Sequence, residues 1–346
     1  MFLNEETEIV AVAMHRVGSQ TNPEGGIVEC PQLLQVDEVT NEYLKEFFLS
    51  SFKEEGYYHF KTEESSQSAV YQMVTSIMDN DESLYSQSVI LLRSLYAKCT
   101  SEVIPMGEFY VVKFKNCFYE GAFVDAVGIF KSEKKEVYFD ITSSDGQLHL
   151  QAKQGVGVSK IDKGCLVLDV DRTKGCTVAA FDHGKGDNGN YWIDEYLHLY
   201  PKEDNFFQTQ QTITLCNDFV RKHLPENYVI TKDQQADLLN RSTQFFKERE
   251  DFSVNEYMES VIEKEEVAEK FKQYKQDCER SIGYHLADDF QISEAAVKKQ
   301  VKVFKSVIKL DKNFHVYIHG KRDLIHRDYD RDRDLYYYQL YFKEED

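Results

Sequence analysis

Apolar and polar positions follow the period of an antiparallel sheet through much of the first half of the chain. Residues 8–18, EIVAVAMHRVG, predict a buried strand, and a turn at residues 22–26 leads to a second strand, so a hairpin opens the fold. From residue 107 onward, short apolar runs separated by turn residues predict further strands. Consecutive strands are expected to be antiparallel, because the connections between them are short and a parallel pair needs a crossover of about a dozen residues or more. The segments are GEFYVVKFKNC, GAFVDAVGIFKSE, KEVYFDI, HLQAKQG, KGCLVLDVD and CTVAAFDH.

Apolar residues at three- and four-residue spacing predict the helices. Three helices precede the sheet, in VTNEYLKEFFLSSF and in residues 65–78 and 82–99, and Thr40 or Asn41 is the expected cap of the first. Their apolar faces are expected to cover the sheet. Two more helices are predicted in YWIDEYLHLY and NFFQTQQTITLCNDFVRKHLP, and Pro225 is expected to end the second.

The C-terminal third is predicted to be helical and then β-structured. Thr231 is the expected cap of a charged helical region, and Ser293 is the expected cap of a last short helix. Residues 305–342 predict two pairs of strands, which form a small antiparallel β-meander. The predicted fold class is therefore α+β. Residues 1–228 form an α+β domain with a meandering antiparallel sheet covered by helices, and residues 229–346 form a helical region with the C-terminal β-meander.

The composition is that of an ordered globular protein, and the length is sufficient for two packed regions. The chain has 346 residues, of which 42% are hydrophobic and 13% aromatic. It lacks the run of about 18 apolar residues that a membrane span needs, and glutamates at positions 5, 6 and 8 argue against a signal peptide. We therefore expect a cytoplasmic chain without a membrane partner. Its seven scattered cysteines never form C-x-x-C, so neither a zinc site nor a disulfide framework is expected.

Charge is strongly segregated along the chain. The net charge of −19 alone argues against nucleic-acid binding, which needs local positive potential. Residues 297–327, however, contain nine basic and two acidic side chains. Several of the lysines fall on one stripe of the predicted helix, where they could follow a phosphate backbone, although exposed lysines also simply solvate a helix. The candidate nucleic-acid-binding residues are Lys298, Lys299, Lys302, Lys305, Lys309, Lys312, Lys321 and Arg322, with Arg327 at the end of the cluster.

One pattern resembles a metal-dependent nuclease. Asp125 followed by Glu133 and Lys135 has the carboxylate and E-x-K order in which carboxylates hold a divalent metal and a lysine steadies the attacking water. In such enzymes the E-x-K lies within a strand, whereas here it falls where the chain should turn. A hydrophilic hairpin tip is therefore the preferred interpretation of these residues.

Three other segments give weaker signals. HGKGDNGN, residues 183–190, is rich in glycine but lacks the phosphate-binding pattern, so a loop is expected. His315 and His319 lie four apart on a predicted strand, about 13 Å from each other, too far to share one metal ion. The alternating Asp and Arg residues at 327–334 lack the order of a calcium loop and predict a solvated turn.

A string of short segments resembles the bacterial nucleoid-associated protein family of the NdpA type. They occur in order across nearly the whole chain: residues 107–139, KGCLVLDV, Tyr191–Trp192, LLN at 238–240, AVKK, KSVIKLDKNFHVYIHG and YYYQLYF. The resemblance implies a cytoplasmic protein that is found with the bacterial chromosome and binds DNA, without enzymatic activity. It supplies no catalytic residues and no cofactor.

The preferred hypothesis is a non-enzymatic nucleoid-associated protein that binds DNA through its basic C-terminal region. One alternative is a metal-dependent nuclease or phage-defence effector that uses Asp125, Glu133 and Lys135. The other is an acidic adaptor that binds a chromosome-associated protein through the helices of residues 232–282. A homo-oligomer is compatible with the sequence, and no metal or cofactor is expected.

Overall fold

The computed structural model describes the chain in ten ranges. The chain folds into two compact units, which are Met1–Lys202 and Glu203–Asp346. The domain boundary that we predict near residue 228 lies within the second unit. The described ranges are 2–22, 25–53, 56–62, 68–184, 191–228, 230–282, 284–300, 306–310, 314–318 and 325–344.

The first unit contains a large antiparallel sheet, as predicted. Its described strands are β1 (Glu8–Val17), β2 (Ile27–Val28), β3 (Tyr58–Phe60), β4 (Gly107–Tyr119), β5 (Ala122–Ser132), β6 (Glu136–Ser144), β7 (Gln147–Gly155), β8 (Lys163–Leu168), β9 (Thr177–Asp182) and β10 (Leu199–Pro201). Eight of them form one sheet in the order β10-β3-β9-β8-β5-β4-β1-β2, whereas β6 and β7 pair only with each other. This arrangement confirms the α+β class.

The large sheet is buried on both faces, because successive residues of a strand point to opposite sides. Ala13 of β1 packs in a cluster with α2 (Ala69–Asp79) and α3 (Leu84–Lys98). Its neighbour Val12 packs in a second cluster with α1 (Glu38–Leu49). The helices before the sheet therefore cover it, as expected.

Tight turns account for the close spacing of two strand pairs. Glu120 and Gly121 join β4 to β5 with φ values of 46° and 84°. Asp145 and Gly146 join β6 to β7 with φ values of 52° and 74°. Two consecutive residues with positive φ are typical of the type I′ turn, whose twist matches that of paired strands.

The cap of α1 differs from the prediction. Asp37 is the N-cap, and its carboxylate accepts a hydrogen bond from the N–H of Thr40 at 2.7 Å. This backbone hydrogen bond is the largest cause that holds the pKa of Asp37 below its usual range. Thr40 and Asn41 therefore lie in the first helical turn, and neither is the cap.

The helix that we predict from residue 191 to 200 is shorter in the structure. Tyr191–Leu197 form a π-helical turn, and the chain then reverses into β10, which pairs with β3. His198 separates the two elements and has a φ of 54°, which an α-helix cannot accommodate. The turn buries Trp192 completely, and its indole N–H donates to the carbonyl of Gly164 at 3.4 Å.

The second unit is mainly helical in its described residues. Pro225 does not end the helix that we predict at residues 205–225. A π-helical turn at Phe219–His223 precedes the proline, which lies in the first turn of a new helix. A proline is tolerated there because that position needs no N–H. The helices are α4 (Asn205–Asp218), α5 (Leu224–Asn227), α6 (Lys232–Glu248), α7 (Val254–Tyr257), α8 (Glu265–Ile282) and α9 (Glu294–Gln300), and a short pair of strands is β11 (Asp251–Ser253) and β12 (Asp289–Gln291).

Thr231 caps α6, as predicted, in a complete capping box. Its hydroxyl accepts from the N–H of Gln234 at 3.2 Å, and the Gln234 side chain accepts from the Thr231 N–H at 3.0 Å. The charged helical region that we predict after Thr231 is interrupted, however. Glu263 has a φ of 63° and ends a π-helical turn at Met258–Ile262 before α8 begins.

The C-terminal β region consists of two antiparallel hairpins. The first pairs β13 (Ser306–Leu310) with β14 (Phe314–Ile318). The second pairs β15 (Ile325–Asp330) with β16 (Leu335–Leu340) across a turn at residues 331–334. Both strand pairs agree with the sequence prediction.

Candidate nucleic-acid interface

Helix α9 carries the two predicted contacts that the structure describes in full. Its start is fixed by Ser293, whose hydroxyl accepts from the N–H of Ala296 at 3.3 Å and whose own N–H donates to Thr209 of α4 at 2.9 Å. Ala296 is completely buried, and Val297 beside it is 7% exposed. The buried side of this short helix therefore leaves Lys298 and Lys299 exposed.

Within the described residues, both ammonium groups make weak surface contacts. The Nζ atom of Lys298 lies 3.2 Å from Glu294, and the two side chains are 78% and 87% exposed. The Nζ atom of Lys299 lies 5.3 Å from the centre of the Phe206 ring. Exposed ion pairs of this kind contribute about 0–1 kcal/mol, so a phosphate can replace the carboxylate at little cost.

The remaining predicted contacts follow α9 along the chain. Lys309 lies on β13, opposite His315 of β14 in the strand register. The other predicted contacts lie outside the described residues: Lys302, Lys305, Lys312, Lys321 and Arg322.

An aromatic face on the last hairpin was missed in the sequence analysis. The guanidinium of Arg327 lies 4.0 Å from the centre of the Tyr336 ring, and Tyr336 packs against Tyr329 with 4.9 Å between ring centres. Tyr336 remains 64% exposed. The signal was present in the alternation of Arg327 with Tyr329. Exposed aromatic rings beside a cation are surfaces on which unpaired bases stack.

The aspartates of this hairpin stabilise its turn. Asp330 accepts hydrogen bonds from the N–H groups of Asp332 and Arg333 at 2.9 and 3.1 Å. The hydroxyl of Tyr329 donates to Asp334, which has a φ of 56°. The turn is shorter than the one we predict at residues 327–334, because residues up to Asp330 belong to β15 and pair with β16.

The three residues of the nuclease pattern do not converge. Asp125 is near the beginning of β5 and Glu133 follows its end, a separation of about 26 Å along an extended strand. The Nζ atom of Lys135 lies 3.5 Å from Glu108 and makes no approach to Asp125. The geometry therefore excludes one metal site that uses all three side chains.

Glu133 does not lie on an exposed hairpin tip either, contrary to our interpretation. Its side chain is 9% exposed, and Oε1 accepts from Lys131 Nζ at 2.9 Å and from the Tyr191 hydroxyl at 3.0 Å. Lys163 lies nearby and pairs with Asp182 at 2.6 Å. We call Lys131, Glu133, Lys163, Asp182 and Tyr191 the buried ion cluster.

The buried ion cluster is electrically balanced. It contains two lysines and two carboxylates, and the two lysine side chains are 0% and 4% exposed. Burial, followed by the nearby Glu133 carboxylate, raises the pKa of Tyr191 far above its usual value, so the phenol remains a hydrogen-bond donor. Buried charges need such partners, and removal of one partner would leave the other charge buried without compensation.

Comparison with known proteins identifies a family. A family model described as nucleoid-associated protein YejK matches residues 13–336. The chain belongs to this nucleoid-associated protein family. The matched range extends through both compact units and includes α9. The resemblance found in the sequence is thereby confirmed, while no curated protein matches the chain.

Most cysteine thiols of this nucleoid-associated protein are buried. Five of its seven free cysteines are buried, and burial raises the pKa of the Cys176 thiol to about 11, which suppresses the nucleophilic thiolate. Among the described residues, no group of three His, Cys, Asp or Glu side chains could hold a metal ion. No helix of the described residues has the length and the apolar character needed to span a membrane.

Proposed function

We propose that this nucleoid-associated protein is non-enzymatic and binds DNA directly through its basic C-terminal region, residues 297–327. The observation that carries the proposal is the charge segregation. Nine basic and two acidic side chains lie in this region, whereas the whole chain has a net charge of −19. DNA phosphates attract this basic region and repel the acidic remainder of the chain, so the proposed contact is confined to residues 297–327.

The geometry of α9 supports this assignment. Lys298 and Lys299 are exposed, adjacent in sequence and only weakly paired. The proposed contacts are Lys298, Lys299, Lys302, Lys305, Lys309, Lys312, Lys321 and Arg322. Because lysines contact phosphates as point charges, we expect nonspecific binding in the bacterial cytoplasm at the nucleoid, with a strong dependence on salt.

The test is a salt titration of binding to duplex and single-stranded DNA with the purified chain. Replacement of Lys298, Lys299, Lys302 and Lys305 by Glu is expected to abolish retention on DNA at physiological salt. The less drastic change of all four to Gln should lower the slope of log affinity against log salt by about one for each phosphate that is no longer neutralised. Parallel titrations with magnesium test for cleavage. Cleavage of the DNA would contradict the non-enzymatic assignment.

The matched control reverses four exposed lysines elsewhere in the second unit. Lys247, Lys264, Lys270 and Lys272 lie on or beside α6 and α8, and their replacement by Glu changes the net charge by the same amount. We expect this control to weaken binding far less than replacement of Lys298, Lys299, Lys302 and Lys305 by Glu. Equal loss in the two variants would show that only total charge matters, and unchanged binding after replacement of the four C-terminal lysines would refute the proposed contact.

A further inference from the structure

The hairpin formed by β6 and β7, residues 136–155, has an apolar face that is exposed. We call it the arm. Its strand register pairs Phe139 with Ala152 and Ile141 with Leu150. Because side chains alternate along a strand, the large apolar side chains of the arm share one face. These are Val137, Phe139, Ile141, Leu148 and Leu150.

The opposite face of the arm is polar apart from Tyr138. Asp140 and Lys153 form an ion pair there, and Thr142 lies opposite His149 in the register. A sheet with one polar and one apolar face normally packs the apolar face against a core. On the arm, the five apolar residues are instead 63–79% exposed. A two-stranded hairpin is at best marginally stable alone in water, so the apolar face requires a cover.

The size of this face matches half of a protein interface. Five large apolar side chains exposed to this degree present on the order of 600 Å² of surface, at the upper limit for a patch on a monomeric protein. Two such faces in contact would bury roughly 1,200 Å², the lower end of the range for specific interfaces. The area is therefore sufficient for two copies of the arm without other contacts.

The charge distribution favours a second copy of this chain as the partner. The formally charged residues of the arm are Glu136, Asp140, Asp145 and Lys153. The alternation places Glu136, Asp140 and Lys153 on the opposite face, and Asp145 lies in the turn between the strands. The other residues of the apolar face are Ser143, Ala152 and Gln154. Two chains that each carry a net charge of −19 repel each other over most of their surface. An uncharged apolar face is where such copies can meet without paired charges.

We propose that this protein forms a homodimer in which the apolar faces of two arms pack against each other about a twofold axis. Twofold contacts use the same patch on both chains, which fits a face that is uncharged and needs no complementary partner. Dimerisation would also bring two basic C-terminal regions into one particle and increase the effective concentration of the second on DNA.

The test is the mass of the full-length chain in solution, measured by light scattering or sedimentation at tens of micromolar. The monomer mass is 40.4 kDa, and we expect the wild type at twice this value. The double variant Phe139→Asp with Leu150→Asp should be monomeric. The matched control, Thr142→Asp with Gln151→Asp, adds the same charge to the polar face and should remain dimeric.

A second variant guards against misfolding of the arm. Phe139→Thr with Leu150→Thr removes apolar area but retains residues that favour strands, and it should shift the equilibrium toward monomer at least tenfold. Fluorescence of the single, buried Trp192 checks that the first unit remains folded. A monomeric wild type would overturn the proposal. So would a dimer that persists in both face variants, because the interface would then lie elsewhere.

Discussion

Replacement of Glu133 by Gln tests whether the buried ion cluster stabilises the first unit. The substitution keeps the shape of the side chain but removes the negative charge that faces Lys131 at 2.9 Å. Lys131 is completely buried, and besides the introduced amide it keeps the carbonyl of Pro105 at 2.9 Å and the more distant Tyr191 hydroxyl at 3.4 Å, which are both neutral. The buried positive charge is then no longer neutralised.

Removal of one partner from a buried ion pair typically costs about 3–5 kcal/mol. We expect a loss near the lower limit, about 3 kcal/mol, because the carbonyl oxygen of the introduced glutamine can still accept a hydrogen bond and Asp182 still neutralises Lys163. With a urea dependence of about 2 kcal/mol per M, the unfolding midpoint should fall by roughly 1.5 M.

The assay is urea denaturation followed by the fluorescence of Trp192, which is the single tryptophan and lies beside Tyr191 in the first unit. The control is Lys134→Gln. Lys134 pairs with Asp162 at 3.0 Å but is 65% exposed, so its loss should cost less than about 1 kcal/mol. A Glu133→Gln variant as stable as this control would refute a structural role for the cluster.

Two further substitutions address the cap of α6 and the pH dependence of the first unit. Thr231→Ala removes the capping box and should lower the free energy of unfolding by about 1 kcal/mol, measured by thermal denaturation, while Thr231→Ser should restore most of it. His15 accepts from the Cys30 N–H through Nδ1 at 3.2 Å, a bond that only the neutral ring can make, and burial lowers its pKa. Stability should therefore be complete above the ordinary pKa of about 6.5 and decline as the pH falls toward the lowered value; a wild type and a His15→Gln variant with the same pH profile would contradict this.

Local patterns in the sequence were sufficient to predict most elements of the fold. Strand alternation identified β1 and β4–β9, and Thr231 before the charged helical region was correctly predicted as a cap. The errors occur where local hydrogen-bond geometry decides. Asp37, two residues before the predicted apolar repeat, provides the cap of α1. Pro225 is tolerated because the π-helical turn before it changes the hydrogen-bond pattern.

The environment of the charged residues could not be predicted in the same way. Lys131 and Lys163 occupy strand positions where a lysine normally indicates solvent, yet both are buried. Lys131 pairs with Glu133, two residues away, whereas Lys163 pairs with Asp182 of another strand. Asp182 is 19 residues from Lys163, and Tyr191 is 58 residues from Glu133. Such partners come together only through the sheet order, which residue spacing does not reveal.

The acidic character of the chain restricts how a contact with DNA can form, without excluding it. At physiological salt, charges are screened over about 8 Å, so acidic residues farther from the phosphates than this oppose binding only weakly. Lysines in direct contact still release counterions and gain affinity. A basic region on an acidic protein is therefore effective when it is exposed, as Lys298 and Lys299 are. The same acidic remainder repels phosphates at other faces, so the proposed contact would hold the protein on DNA in one orientation and would not give a uniform coat.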